Sequence, residues 1–309
     1  MINKGWRERK LEIEKHCGDW YSYDIVPKGK NFYLTDSRKH KAETSVHFFE
    51  KIVNFAEDFL KTPLSKAKVL DLGCAEGVAS FAFSGNSKNV LGIDGRCENI
   101  VKALFTKELL GLKNIDFLEQ DLRILNFPSK SFDLVLALGI LYHFDAPDLF
   151  HFIENLYRWT KEITIIDTQI SFLPIVKQTL KGKAYFGIYY DELEPTKSPQ
   201  SSIGNKKSFW LTKSSLFNIL KRVGYSEIYE CKLPKIDNMR QADDRLTLIA
   251  TKTPHHTSSL FRPKNVNKLE AFGEYDPQIA ALQYTNGMAL QEIQQVESRE
   301  KTNSESKNS

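Results

Sequence analysis

Short apolar runs alternate along this chain with stretches whose apolar residues recur every three or four positions. The runs at 68–71, 89–94, 115–119, 132–138, 162–168, 226–231 and 246–251 predict seven strands. The stretches at 44–60, 75–84, 97–110, 146–159 and 213–223 predict helices. In the first helix Val46, Phe49, Val53 and Phe59 share one face, and the last runs into Gly224, a residue suited to a helix C-cap. Such alternation predicts an α/β fold, a doubly wound and mostly parallel sheet. The link 234–245 is too short for a helical crossover, so the last two strands are expected to pair antiparallel at one edge.

Three regions fall outside that rhythm. Residues 1–42 combine a charged opening helix with an aromatic-rich stretch around Trp20, Tyr21 and Tyr23, expected to form a short hairpin. Residues 169–210 interrupt the sheet with Tyr185, Phe186, Tyr189, Tyr190 and several Gly and Pro. Residues 252–309 are rich in Asn, Gln, Ser, Glu and Lys and are expected to be a largely disordered tail, with a weak amphipathic helix at 277–296. The expected organisation is therefore a segment 1–42, a domain 43–251 carrying the insertion 169–210, and the tail 252–309.

Composition narrows the class. With 309 residues, 41% of them hydrophobic and 27% charged, and a formal charge of +4, the chain has the make-up of a soluble globular protein; collagen, coiled-coil and wholly disordered readings are excluded. The longest near-continuous apolar run, 134–142, is far below the roughly 20 residues of a membrane span. Cys17, Cys74, Cys97 and Cys231 form no C-x-x-C pair and have no His at ligand spacing. They read as reduced thiols in the cytoplasm, and no metal site is expected. The stretch 71–160 carries 12 acidic residues against 8 basic ones, a balance that suits a cationic ligand.

The strongest chemical signal is at 69–78, where an apolar strand ends in Asp71 and enters a turn containing Gly73 and Gly77. Such a turn lets a ligand lie against backbone at the carboxyl end of a strand. Asp94 lies 21 residues after Gly73 and ends the next strand just before Gly95, where a carboxylate can accept bonds from ribose hydroxyls. The turn lacks G-x-G-x-x-G, which argues against a nicotinamide-dependent oxidoreductase.

The run DLGCAEG from Asp71 to Gly77 resembles the first motif of the class I S-adenosylmethionine-dependent methyltransferases. Asp94 is similar to the family's ribose-binding acid, 119–122 to its adenine-binding motif, and 132–143 to its fourth strand and following turn. The resemblance covers about 45–251. It implies a Rossmann-like sheet of seven strands with the last antiparallel, and S-adenosylmethionine as cofactor. Cofactor contacts would then come from Asp71, Gly73, Ala75, Gly77, Asp94, Gly95, Asp121, Leu122 and Leu138. Ala75 replaces a more usual Gly, which it can do if its φ is negative.

Tyr142 and His143 follow the fourth strand, where a methyl group would meet its acceptor. His143 is placed either to act as general base on an acceptor hydroxyl or to orient the turn, because alignment alone can drive methyl transfer. Trp20, Tyr21 and Trp210 are candidates for a lid that holds the acceptor; the competing reading is that they plug the gap between the flanking segments and the sheet. The stretch 204–216, with Tyr142 and His143, resembles both tRNA wobble-uridine modifying enzymes and bacterial small-molecule methyltransferases. In the first case Lys206, Lys207, Lys213, Lys221 and Arg222 would meet phosphates; a solvated face is the simpler account. The expectation is a methyltransferase acting by in-line displacement, on a small molecule rather than tRNA. The alternative is a catalytically silent RNA-binding or scaffold protein of the same fold.

Overall fold

The computed structural model describes residues 5–21, 39–193, 200–233, 244–254 and 265–269, all within one unit that spans 1–270. The helix expected at 277–296 and most of the expected aromatic hairpin lie outside the described residues. The elements run α1 (Trp6–Cys17), α2 (Lys39–Phe59), β1 (Lys68–Leu72), α3 (Val78–Ser84), β2 (Asn89–Asp94), α4 (Cys97–Leu110), β3 (Ile115–Glu119), β4 (Phe132–Leu138), α5 (Ala146–Trp159) and β5 (Thr160–Gln169). They continue with β6 (Val176–Leu180), β7 (Lys183–Asp191), β8 (Lys207–Leu211), α6 (Lys213–Val223), β9 (Glu227–Cys231), β10 (Arg245–Thr251) and β11 (Val266–Lys268).

Eight strands form one sheet in the order β11-β9-β10-β5-β4-β1-β2-β3. The five strands from β3 to β5 pair parallel. Their centre reads as continuous apolar sequence because helices cover both faces. Along β4, Leu134 and Leu136 pack toward α2 and α3, while Val135 and Ala137 pack toward α5 and α6.

The short link between the last two long strands does produce antiparallel pairing, and β10 sits antiparallel between β5 and β9. The pair is not the edge expected for it. Val266–Lys268, from the segment expected to be a polar tail, adds an eighth strand against β9, and the sequence hides it because a three-residue edge strand carries no apolar pattern.

The insertion folds as a second, three-stranded antiparallel sheet, β6-β7-β8. Lys181 and Gly182, with φ of 47° and 75°, make the two-residue turn of its first hairpin. Tyr185, Phe209 and Leu211 anchor this sheet in the same core as α5 and α6. Helix α3 starts at Val78, three residues after the predicted start, because Ala75 and Gly77 both have positive φ and cannot belong to a right-handed helix.

Candidate active site

The loops at the carboxyl ends of β1, β2 and β4 converge. After β1 the chain turns through Gly73 (φ 69°), Ala75 (φ 49°) and Gly77 (φ 89°). The amides of Gly73 and Cys74 both donate to the Ile93 carbonyl of β2, at 2.8 and 3.0 Å. A Cβ on Gly73 would lie 2.9 Å from the Ile140 side chain, so only glycine lets the turns after β1 and β4 approach this closely. Ala75 does not have the negative φ under which an alanine fits without strain. It takes the left-handed region, held there by a bond from its amide to Asp94 Oδ2 at 2.9 Å.

Asp94 is buried, with three donors. Oδ2 accepts from Ala75; Oδ1 accepts from the Arg96 amide and from Asn99 Nδ2, both at 2.9 Å. Burial raises its pKa and these hydrogen bonds oppose the rise. Two oxygens offer about four acceptor positions, so Oδ2 keeps one for a further donor. Asp71, wholly buried beneath the turn, accepts from Ser80 Oγ at 2.5 Å. Its pKa is pushed up to about 6, first by burial, with the Ser80 bonds working against the rise and nearby Asp94 adding to it.

The N-terminal aromatics lie on this side of the site. Tyr21 donates its hydroxyl to Asn99 Oδ1 at 2.7 Å, extending the Asp94 network outward. Its amide meets Glu76 Oε1, which also receives Lys102 Nζ at 3.0 Å in an ion pair buried on both sides. Lys102 Nζ donates as well to the Asp19 carbonyl at 2.7 Å. Trp20 is buried against Phe105, and its indole nitrogen has no hydrogen-bond partner among the described residues.

Asp121 is held by its neighbour: Arg123 donates from its amide, Nε and Nη2, at 2.6 to 3.0 Å. The Arg123 side chain lowers the Asp121 pKa against a smaller opposing effect of burial. Leu122 joins the core under α5, and Leu138, half-buried, packs against the core on the other face. Among the described residues, its chain neighbours aside, only Ile203 and the Gln120 carbonyl lie within 4 Å of where a Cβ on Gly95 would sit.

His143 closes a single 3-10 turn, Leu141–His143, directly after Ile140. Its Nδ1 lies 3.0 Å from Glu192 Oε1. Ser208 Oγ donates to the same oxygen, and the Ser202 amide to Oε2 at 3.1 Å. Burial alone would raise the Glu192 pKa, but the bonds to His143, Ser208 and Ser202 outweigh it and hold the pKa below its usual value. An ionised Glu192 fixes the proton on Nδ1 and leaves Nε2 as the acceptor. Beside the imidazole, Tyr142 packs against Trp210, whose Nε1 donates to the Tyr142 carbonyl at 3.0 Å. The Arg245 guanidinium lies 4.9 Å over the Tyr142 ring and is held at 2.7 Å from Nε to buried Asp167.

Sequence reading missed Glu192, Asn99, Lys102 and Arg245. Asn99, Lys102 and Thr106 are polar yet buried, on the inward stripe of α4, and that mismatch between pattern and polarity was readable. Glu192 left no such trace, because its pairing depends on how the insertion packs.

Residues 63–196 match the family model described as "Methyltransferase domain". The chain is 31% identical over 162 residues to a demethylmenaquinone methyltransferase from Lactococcus lactis, covering 49% of this chain and 60% of that protein. It is 34% identical over 88 residues to a tRNA U34 carboxymethyltransferase from Methylococcus capsulatus, covering 28% of this chain and 26% of that one. It thus spans less than two thirds of the length of either relative. Among solved structures, the N-terminal domain of EvdMO1 with SAH bound superposes with a TM-score of 0.61 at 23% identity, over 81% of this chain and 98% of that one. No helix among the described residues is long and apolar enough to cross a membrane. In sheet order, in the β1 turn and in these matches, the chain is similar to the class I S-adenosylmethionine-dependent methyltransferases, with the methyltransferase-domain match lying at 63–196.

Proposed function

We propose that the chain transfers a methyl group from S-adenosylmethionine to a small-molecule acceptor in the cytoplasm, with His143 as general base. The observation that carries this reading is the His143–Glu192 pair, set in the turn whose Ile140 packs against Gly73.

The residues fit the cofactor. The backbone turn at Gly73 to Gly77 and the spare acceptor position on Asp94 suit the ribose end, while Asp71 supplies latent negative charge beneath the turn. At the adenine end Asp121 would have to share its carboxylate with Arg123. When bound, S-adenosylmethionine offers a sulfonium methyl group that an aligned lone pair displaces in line. Tyr142, Trp210 and Tyr190, the last two stacked at 4.4 Å, are assigned to the acceptor side. Asp19, Trp20 and Tyr21 are assigned to closing the cofactor side, with the insertion as a lid.

A small acceptor is favoured over RNA because four of the five basic groups that would meet phosphates, all but Lys206, are engaged internally. Lys213 lies on both oxygens of Glu230, Lys207 near Asp191, Arg222 on the Tyr185 hydroxyl and Lys221 on the Ser226 carbonyl. Titration calorimetry with S-adenosylmethionine, S-adenosylhomocysteine and NADH tests the reading. Micromolar binding of the first two alone is the expected result, with Asp94→Ala weakening it more than tenfold. Absence of binding would favour a silent scaffold.

A further inference from the structure

Position 95 has no side chain, and the space beside it is filled from the insertion. A Cβ on Gly95 would sit 2.8 Å from Ile203 Cδ1 and 3.7 Å from the Gln120 carbonyl. Ile203 thus takes the place that a side chain following Asp94 would otherwise hold, above the loops that end β2 and β3. The segment carrying it is anchored by hydrogen bonds at Ser201 and Ser202 and passes close to Arg123. Arg96 Nη2 donates to the Ser201 carbonyl at 2.8 Å, and the Gly204 backbone lies so near Arg123 that a Cβ there would be 3.4 Å from its Nη2. Ile203 itself keeps 42% of its surface exposed. A large aliphatic side chain held in one place and left open is suited to covering an apolar, planar ligand face.

We infer that Ile203 forms one wall of the pocket for the adenine base of the cofactor, with Gly95 kept bare to admit it. The inference rests on the cofactor reading above. Asp121, Leu122 and Arg123, which follow Gln120, would border the same base. The next residue back, Ser202, donates its amide to Glu192, the partner of His143. One short strap therefore carries both the base wall and a support of the catalytic imidazole.

The test is calorimetric titration of the full chain, as wild type, Ile203→Ala and Ile203→Leu, with S-adenosylhomocysteine and separately with adenosine. Ile203→Ala should weaken both ligands by about five- to tenfold and by the same factor, the loss expected from removing most of one apolar contact face. Ile203→Leu should stay within about twofold of wild type, since it restores the aliphatic volume. Unchanged affinity of Ile203→Ala for both ligands would overturn the assignment. A loss confined to S-adenosylhomocysteine would also overturn it, because the contact would then lie at the amino-acid end. If the wild type binds neither ligand, the cofactor reading fails and this inference falls with it.

Discussion

His143 and Glu192 stand 49 residues apart in sequence and meet at 3.0 Å between Nδ1 and Oε1. The carboxylate is nearly sealed from solvent, 3% exposed at its side chain, while the imidazole keeps 17%. That asymmetry leaves the histidine as the member that can reach a ligand and the glutamate as the one that sets its tautomer.

Glu192→Gln keeps the shape and the acceptor for Nδ1 but removes the charge. We expect kcat to fall by about tenfold to a hundredfold while the dissociation constant for S-adenosylhomocysteine stays within about twofold. Methyl-transfer rates with an acceptor found by screening small molecules, set beside calorimetry, check this. An unchanged kcat would leave His143 an orienting residue only.

Ala75 sits at φ 49°, a region that costs a residue with a Cβ about 1 kcal/mol. Ala75→Gly should therefore raise the unfolding free energy by roughly 0.5 kcal/mol, the gain being trimmed by the greater freedom of glycine in the unfolded chain. Urea denaturation measures it, and a loss of stability would show that the turn is not strained.

Asp71 has its folded pKa raised to about 6 from a usual 3.8. A carboxyl group raised in the folded state contributes stability fully below its unfolded pKa, and that contribution is lost as pH rises through about 6. A cationic ligand above it favours the ionised form, so binding should release a proton near pH 6 and affinity should increase from pH 5 to 7. Calorimetry in two buffers of different ionisation enthalpy detects the proton. No release at pH 6 would mean that Asp71 does not sense the ligand.

The buried Glu76–Lys102 pair ties residues 19–21 to α4. Glu76→Gln leaves the Lys102 ammonium buried without a counter-charge and should cost about 3 kcal/mol. The double variant Glu76→Leu with Lys102→Met should recover much of that loss, as read by denaturant midpoint. A single variant as stable as wild type would show that the pair is dispensable.

The sheet was legible where burial on two faces forces a run of apolar residues. The ends of β2, β3, β4, α4, α5 and α6 fall where hydrophobic period and capping residues put them. β6 and β7 were not legible: β6 alternates half-buried and exposed positions, and β7 buries only Tyr185 and Gly187 while Tyr189 and Tyr190 are exposed. The β1 turn and Asp94 were visible as a motif, yet the backbone angle of Ala75 was not, since it is imposed by the bond to Asp94. Trp20 and Tyr21 stood out as aromatic, but which side of the site they close depends on Asn99 and Lys102, residues that sequence alone assigns to an ordinary helix.

The strand Val266–Lys268 has a consequence for the protein among its neighbours in a crowded solution. Without it β9 would end the sheet as an open ladder, a template on which another chain could add a strand. With it, the outermost described strand is three residues long, and Lys268 is paired with Glu227. So short an edge, tipped with a cation, offers little length for edge-to-edge growth, and guards the molecule against aggregation on that side.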